Sequence, residues 1–190
     1  IQVDMLIAPS MATAADQKLV IEDLELTART RKDCVVVASP SREDVVGKQD
    51  VATVVSDVAV FSDTLPSSSY LVFDNNFLKV YDKYNDEYVF IPAASGTAGL
   101  MAATDFVAAP WFSPAGSRRG QYFGVSSLAY NATKSQRDTL YKANVNPVVN
   151  LPGQGVLLFG DKTHLSRPSA FDRINVRRLF LVMERAIKSA

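Results

Sequence analysis

The sequence is poor in the residues on which most enzyme chemistry depends. It has one histidine, His164 in DKTHLSRP, and one cysteine, Cys34 in DCVVVAS. One His cannot supply a His-based metal cluster, and neither HExxH nor CxxC occurs. A Ser-His-Asp triad would need His164 plus a serine in a nucleophile elbow, and no G-x-S-x-G is present. His164 therefore reads as a solvated or loop-packing residue. A lone cysteine excludes an intrachain disulfide framework. Its β-branched apolar surroundings read as a buried strand, and intracellular folding fits. Phosphate chemistry has no motif either: Gly47-Lys48 is followed by Gln49, and position 42, where a Walker A loop needs Gly, is Arg. ATP hydrolysis thus has no visible seat. LPGQGV precedes a strand rather than a helix, so Gly153-Gln-Gly155 reads as a β-turn requiring positive φ. Asp82, Asp86 and Glu87 cluster in polar turns where solvation explains them, not as a glycosidase pair. No catalytic residue, metal or cofactor is expected.

Charge of either sign is also missing as an excess. Twenty Lys and Arg balance twenty Asp and Glu, which argues against a dedicated nucleic-acid binder and leaves little repulsion between copies. The start, IQVDMLIAPS, has neither a basic leader nor a long apolar core, so it reads as neither signal peptide nor membrane span. It lacks an initiator Met and opens in mid-strand, as if cut from a longer chain. Asn131-Ala-Thr133 matches a glycosylation sequon, but carries little weight without a secretory route.

Enough apolar sequence is present, 47% of residues, to build a packed core. Val3 to Ala8 predicts a buried strand. Thr13-x-x-Asp16 predicts a capping box before the amphipathic QKLVIEDLELTARTR. Val35 to Ala38 predicts a second buried strand. Ser41-x-x-Asp44 opens a further helical segment that stops at Pro66. This order implies a βαβ unit with a right-handed crossover. Between Ser69 and Pro92, Asn75-Asn76 and Asn85-Asp86 act as turn signals among aromatic runs, predicting strand, turn, strand, turn, strand. Ser95 to Phe106 predicts a tightly packed helix, and PWFSPAGSRRGQ, residues 110–121, a loop at a domain boundary. Beyond it come a strand (Tyr122–Ala129), a helix opened by the Thr133-x-x-Gln136 capping box, two strands in PVVNLP and VLLFGD, and a last helix. Asn175 is the expected N-cap of that helix. Val176, Leu179, Phe180, Met183 and Ile187 form its apolar face. The expected fold class is α/β (α+β): a strand–helix βαβ unit over residues 1–108, then a smaller mixed α/β domain over 109–190.

Three stretches in fixed order carry a resemblance: APWFSPAGSRRGQ, TKSQRDTLYKANVNPVVNLPGQGVLLFGDKT and SRPSAFDRINVRRLFLVMERAI. Together they resemble contractile tail sheath proteins of T-even-like large myophages, densely over residues 105–190 and more loosely over the βαβ half. The resemblance implies a non-enzymatic structural subunit. It would stack as hexameric rings around a tail tube and pass from an extended to a contracted lattice, driving the tube through the host envelope. The family uses no nucleotide for this, in keeping with the missing P-loop. Implied partners are further copies of the chain, the tail tube protein, and the baseplate and tail terminator proteins, with no nucleic acid and no membrane insertion. The place would be the virion tail, assembled in host cytoplasm. The family's C-terminal region lies next to the tube, and terminal arms add strands to neighbouring sheets. Residues 1–108 would then be a portion of the sheath middle domain. Residues 109–190 would be the tube-proximal domain without its terminal arm, so the sequence reads as a fragment.

Six basic residues are candidate tube or inter-subunit contacts: Arg177, Arg178, Arg185 and Lys188 on the last helix, and Arg118 and Arg119 in the Gly/Pro loop. Some of the helix set are expected to face an acidic tube surface; solvated helix charge is the plainer alternative. Two further readings stay open. One is the sheath of a tailocin or other bacterial contractile injection system. The other is an enzyme or ligand-binding module on a Rossmann-like sheet, which would need a polar cluster at the strand ends.

Overall fold

The computed structural model describes residues 2–189. Its centre is β2 (Val35–Ala38), every residue of which is buried. An unbroken apolar strand suits a sheet covered on both faces. β2 pairs in parallel with β1 (Met5–Ile7) on one side and β3 (Leu71–Phe73) on the other. α1 (Ala14–Arg31) connects β1 to β2, while α2 (Arg42–Val45) and α3 (Val51–Asp63) lie between β2 and β3. Strand side chains alternate between faces. Val36 and Ala38 accordingly pack with Ile21, Ala28, Val54, Val58 and Phe61. Val35 and Val37 pack instead with Met101 of α4 (Ala93–Val107) and with Ile174 and Leu181 of α6 (Ile174–Ser189). Cys34 is buried just before β2.

A second sheet has the order β5-β4-β6. β4 (Phe77–Asp82) pairs antiparallel with β5 (Glu87–Pro92) and with β6 (Val125–Leu128). Residues on both sides of the expected 108/109 boundary therefore share one sheet. A hairpin of β7 (Val148–Leu151) and β8 (Gly155–Leu158) completes the strands. Its turn holds Gly153 and Gly155 at φ of 77° and 76°, as the GQG reading requires. α5 (Lys134–Lys142) begins at Thr133, whose backbone N–H donates to Gln136 Oε1 at 2.9 Å. The boundary loop 110–121 is tied down on β8: Gly116 N–H donates to Leu158 O, and Leu158 N–H to Gly120 O.

The expected caps at Thr13 and Ser41 are present, each accepting from the N–H three residues on. Other expectations give way. β1 is an edge strand, not a buried one, with Ile7 exposed. The segment after Ser41 is two helices. It breaks at Gly47 (φ 89°) and restarts at Asp50, whose carboxylate accepts from Ala52 and Thr53 N–H. The Asn75-Asn76 turn is absent as such: β3 and β4 belong to different sheets, and both asparagines are fully buried. Only Asn85-Asp86 forms the expected turn, with Asp86 at φ 56°.

Candidate functional site

The stretches that carry the resemblance meet in one polar knot. Asn146, which opens the NPVV strand, donates through Nδ2 to Phe73 O (3.1 Å) and Lys162 O (2.8 Å). Its Oδ1 accepts from Lys162 N–H (2.8 Å), and its own N–H donates to Phe73 O (2.8 Å). GDKT packs against it so closely that a Cβ on Gly160 would lie 2.8 Å from Asn146 Oδ1. Asp161 then receives Arg173 Nη1 at 2.6 Å and Ser113 Oγ at 3.1 Å. Arg173 Nη1 also reaches the Tyr141 hydroxyl (2.7 Å). Lys162 donates to Tyr141 O and lies over its ring, 4.1 Å from the centroid. Thr163 Oγ1 donates to Phe171 O (2.7 Å). Ser113, Tyr141, Asn146, Asp161, Thr163 and Arg173 come from every one of the quoted stretches. None was singled out by sequence reasoning, although all lie within or beside the motifs.

This knot sets where α6 begins. Ile174 N–H donates to Asp161 O (2.8 Å), and Lys162 bridges Arg173. The helix starts at Ile174, so Asn175 lies inside it and donates to Trp111 O rather than capping. The orientation of α6 is equally determined. Arg177 and Arg178 are only 8% and 5% exposed, so both point into the chain rather than outward. Arg177 stacks between Tyr70 and Phe171, 4.4 and 4.1 Å from the ring centroids, and donates to Ser69 Oγ. Burial pushes its pKa down from the usual arginine value. Arg178 pairs with Asp105 of α4, and Arg185 with Asp4 and the carbonyl of Asp33 at the ends of β1 and β2. Three arginines thus act as struts from α6 to the parallel sheet and α4. The apolar set expected to face the core is turned the other way: Val176, Leu179 and Phe180 are half-buried, Met183 and Ile187 exposed. Of the remaining candidates, Arg118 and Lys188 are exposed. Arg119 stacks on Phe112 and donates to Ser113 O.

A second buried polar group joins the two larger sheets. Asp74 follows β3 and is completely buried. It accepts from Ser39 Oγ (2.7 Å) and Thr97 Oγ1 (3.2 Å), and Thr97 continues to the Tyr122 hydroxyl (2.8 Å). Desolvation outweighs these donors and raises the Asp74 pKa to about 7. Beside it, Asn75 Nδ2 donates to the Tyr130 hydroxyl and Asn75 Oδ1 accepts from Val148 N–H. Asn76 Nδ2 donates to Tyr130 O. The asparagine pair thus supplies backbone-like hydrogen bonds where the chain crosses between sheets. His164 packs edge-on against Phe73 and donates through Nε2 to Ser62 O (3.2 Å). It is buried rather than solvated, and burial lowers its pKa. Among the described residues, no three His, Cys, Asp or Glu side chains converge as a metal would require, and no helix is long and apolar enough to cross a membrane.

This arrangement joins elements, and comparison with known proteins gives it a family. The model of the phage tail sheath protein central domain matches residues 1–164, across the expected domain boundary. The tail sheath protein of Vibrio phage KVP40 is 43% identical over 180 residues, covering 88% of this chain and 27% of that protein. The tail sheath protein of Enterobacteria phage T4 is 44% identical over 163 residues, covering 81% of this chain and 25% of that one. The chain thus spans about a quarter of the length of these relatives. Its fold is similar to the anti-feeding prophage helical sheath in its contracted state: TM-score 0.73, 21% identity, covering 98% of this chain and 46% of that one. It is also similar to the contracted sheath of the extracellular contractile injection system PVC: TM-score 0.71, 17% identity, 100% of this chain and 47% of that one. With the family model covering most of its length and relatives more than two-fifths identical over four-fifths of it, the chain belongs to the phage tail sheath protein family.

Proposed function

We propose that this chain is the portion of a tail sheath subunit that gives the subunit a rigid body. In the full-length protein, copies assemble as hexameric rings around a tail tube in the virion, meeting the baseplate at one end and a tail terminator at the other. Contraction of the assembly then drives the tube through the host envelope, with no catalysis in the subunit. Assembly takes place in the host cytoplasm. The observation that carries the reading is the identity of more than 40% to phage tail sheath proteins, and the motif knot supports it physically. A lattice that moves as a whole needs subunits that do not deform. The knot and the arginine struts weld α6 and the hairpin to the parallel sheet.

Contact roles follow exposure. Lys188, exposed on α6, is the basic residue placed to meet an acidic tube surface, and Arg118 the one placed to meet a neighbouring subunit. Arg177, Arg178 and Arg185 serve such contacts indirectly, by holding α6. The sheath of a bacterial contractile injection system is the second reading, favoured by the fold similarity to the anti-feeding prophage. The phage relatives at twice that sequence identity favour the first. Full-length protein mixed with purified tail tubes is expected to form striated sheaths in electron micrographs; persistent monomers would overturn the proposal.

A further inference from the structure

An apolar groove of about 550 Å³ runs between α4 and the β5-β4-β6 sheet. Gly99, Ala103 and Val107 line it from the helix, Phe123 and Val125 from the other wall, and Arg118 stands beside it. Phe123 is 85% exposed and Val107 71%, so large apolar surface faces solvent here. The two helix glycines differ. A Cβ on Gly96 would strike the Tyr122 ring at 2.8 Å, so packing within the chain explains that glycine. A Cβ on Gly99 would meet nothing within 4 Å. Glycine weakens a helix relative to alanine, and among the described residues nothing crowds position 99 enough to call for one. What it does is deepen the groove.

We propose that this groove receives the outer face of α1 from a second copy of the chain. The inference rests on the sheath reading above and adds to it which surfaces meet. Copies that follow one another in a helical lattice need two different, complementary patches on each subunit, because a self-matching patch closes into a dimer. α1 supplies a patch of the required chemistry. Leu19 and Leu26, 64% and 52% exposed, lie two turns apart, with exposed Asp23 between them on the same face. They are about 10 Å apart along the helix, within the roughly 16 Å from Gly96 to Val107. Charge selects this patch over the exposed apolar face of α6. Among the described residues neither Arg118 nor Asp23 has an ion-pair partner, so docking brings two opposite charges together. Met183 and Ile187 of α6 are flanked instead by exposed Lys188, which has the same sign as Arg118, and by Glu184, which is half-buried and acts on Arg177 of its own helix. The docking is a helix laid in a groove, with the small residues letting it approach closely.

The test uses the full-length protein and reads the critical concentration for sheath formation on tail tubes, together with the Tm of the unassembled subunit. Gly99→Leu is expected to raise the critical concentration at least tenfold while leaving Tm unchanged or higher, and Gly99→Ala to change it by less than threefold. Arg118→Glu and Asp23→Arg are each expected to raise it severalfold, and the two together to bring it back near wild type. Wild-type sheath formation unaffected by Gly99→Leu overturns the groove and leaves the sheath reading standing. Loss of assembly that the double charge swap fails to rescue overturns α1 as the occupant. A large fall in Tm for Gly99→Leu overturns it as well, since the groove would then be filled by the subunit's own remaining sequence. Wild-type protein that never assembles overturns both readings.

Discussion

The parallel sheet and the polar knot hold the same molecule together by different means. Around β2 the seal is apolar, with Val36 and Ala38 against α1 and α3, and Val35 and Val37 against α4 and α6. Such packing tolerates another shape of similar volume. In the knot, Asn146, Asp161 and Arg173 bind specific carbonyls, N–H groups and hydroxyls. A side chain of the same size without the same donors and acceptors leaves buried partners unpaired. One region depends on volume and the other on atom identity.

The largest effects should separate the two on that basis. Asn146→Leu keeps the branched shape but orphans Lys162 N–H and Lys162 O, while Phe73 O keeps the backbone N–H of residue 146, and it is expected to cost about 2 kcal/mol or more, at about 1–3 for each unpaired group. Ile21→Leu, a volume-conserving change in the apolar cluster against β2, should cost under about 1.5 kcal/mol. Phe73→Ala, which removes a fully buried ring packed against Phe61 and His164, should cost about 3–5 kcal/mol. Denaturant unfolding of the three variants checks the ranking, and equal costs for Asn146→Leu and Ile21→Leu would erase the distinction.

The next effect is pH-dependent. Asp74 has a folded pKa of about 7, above the ordinary 3.8. The folded state therefore binds the extra proton between these values, and stability from this group is complete below about pH 4 and lost as pH rises through 7. The full loss is on the order of 4 kcal/mol. His164 works oppositely: its lowered pKa makes its contribution complete above pH 6.5 and lost on acidification. Asp74→Asn should remove the alkaline loss and leave a profile that rises from acid to neutral pH. Thermal melts from pH 4 to pH 8 measure this, and an unchanged profile in Asp74→Asn would contradict it.

A smaller effect concerns the stacked arginine. Arg177→Lys retains charge but loses the planar stack between Tyr70 and Phe171. A cost of about 1 kcal/mol is expected, read from the same unfolding curves; Arg177→Lys with wild-type stability would show the stack to be incidental.

Much of the apolar region was legible in the sequence, and much of the knot was not. VVVA reads as a doubly covered strand because continuous β-branched sequence has few other uses, and Thr13, Ser41 and Thr133 read as helix starts because capping is local. Asn75-Asn76 misleads for the same local reason: paired asparagines signal a turn, and only long-range partners, Tyr130 and Val148, turn them into a buried crossing. Asn175 misleads because Asp161, fourteen residues upstream, fixes the helix start at Ile174. The face of α6 was inverted because periodicity counts Met183 and Ile187 as apolar but cannot see that Tyr70, Phe171 and Asp105 wait for the arginines on the other side. The motif series marked the right residues as a group without showing that they touch.

That inverted helix is tested most directly by a double-mutant cycle between Arg178 and Asp105, measured as unfolding free energy. If Arg178 is an inward strut, each single alanine substitution should cost about 2–4 kcal/mol, and the pair should couple by more than about 1 kcal/mol. Additive changes within about 0.3 kcal/mol, with Arg178→Ala as stable as a surface variant, would place Arg178 on the outside of the molecule.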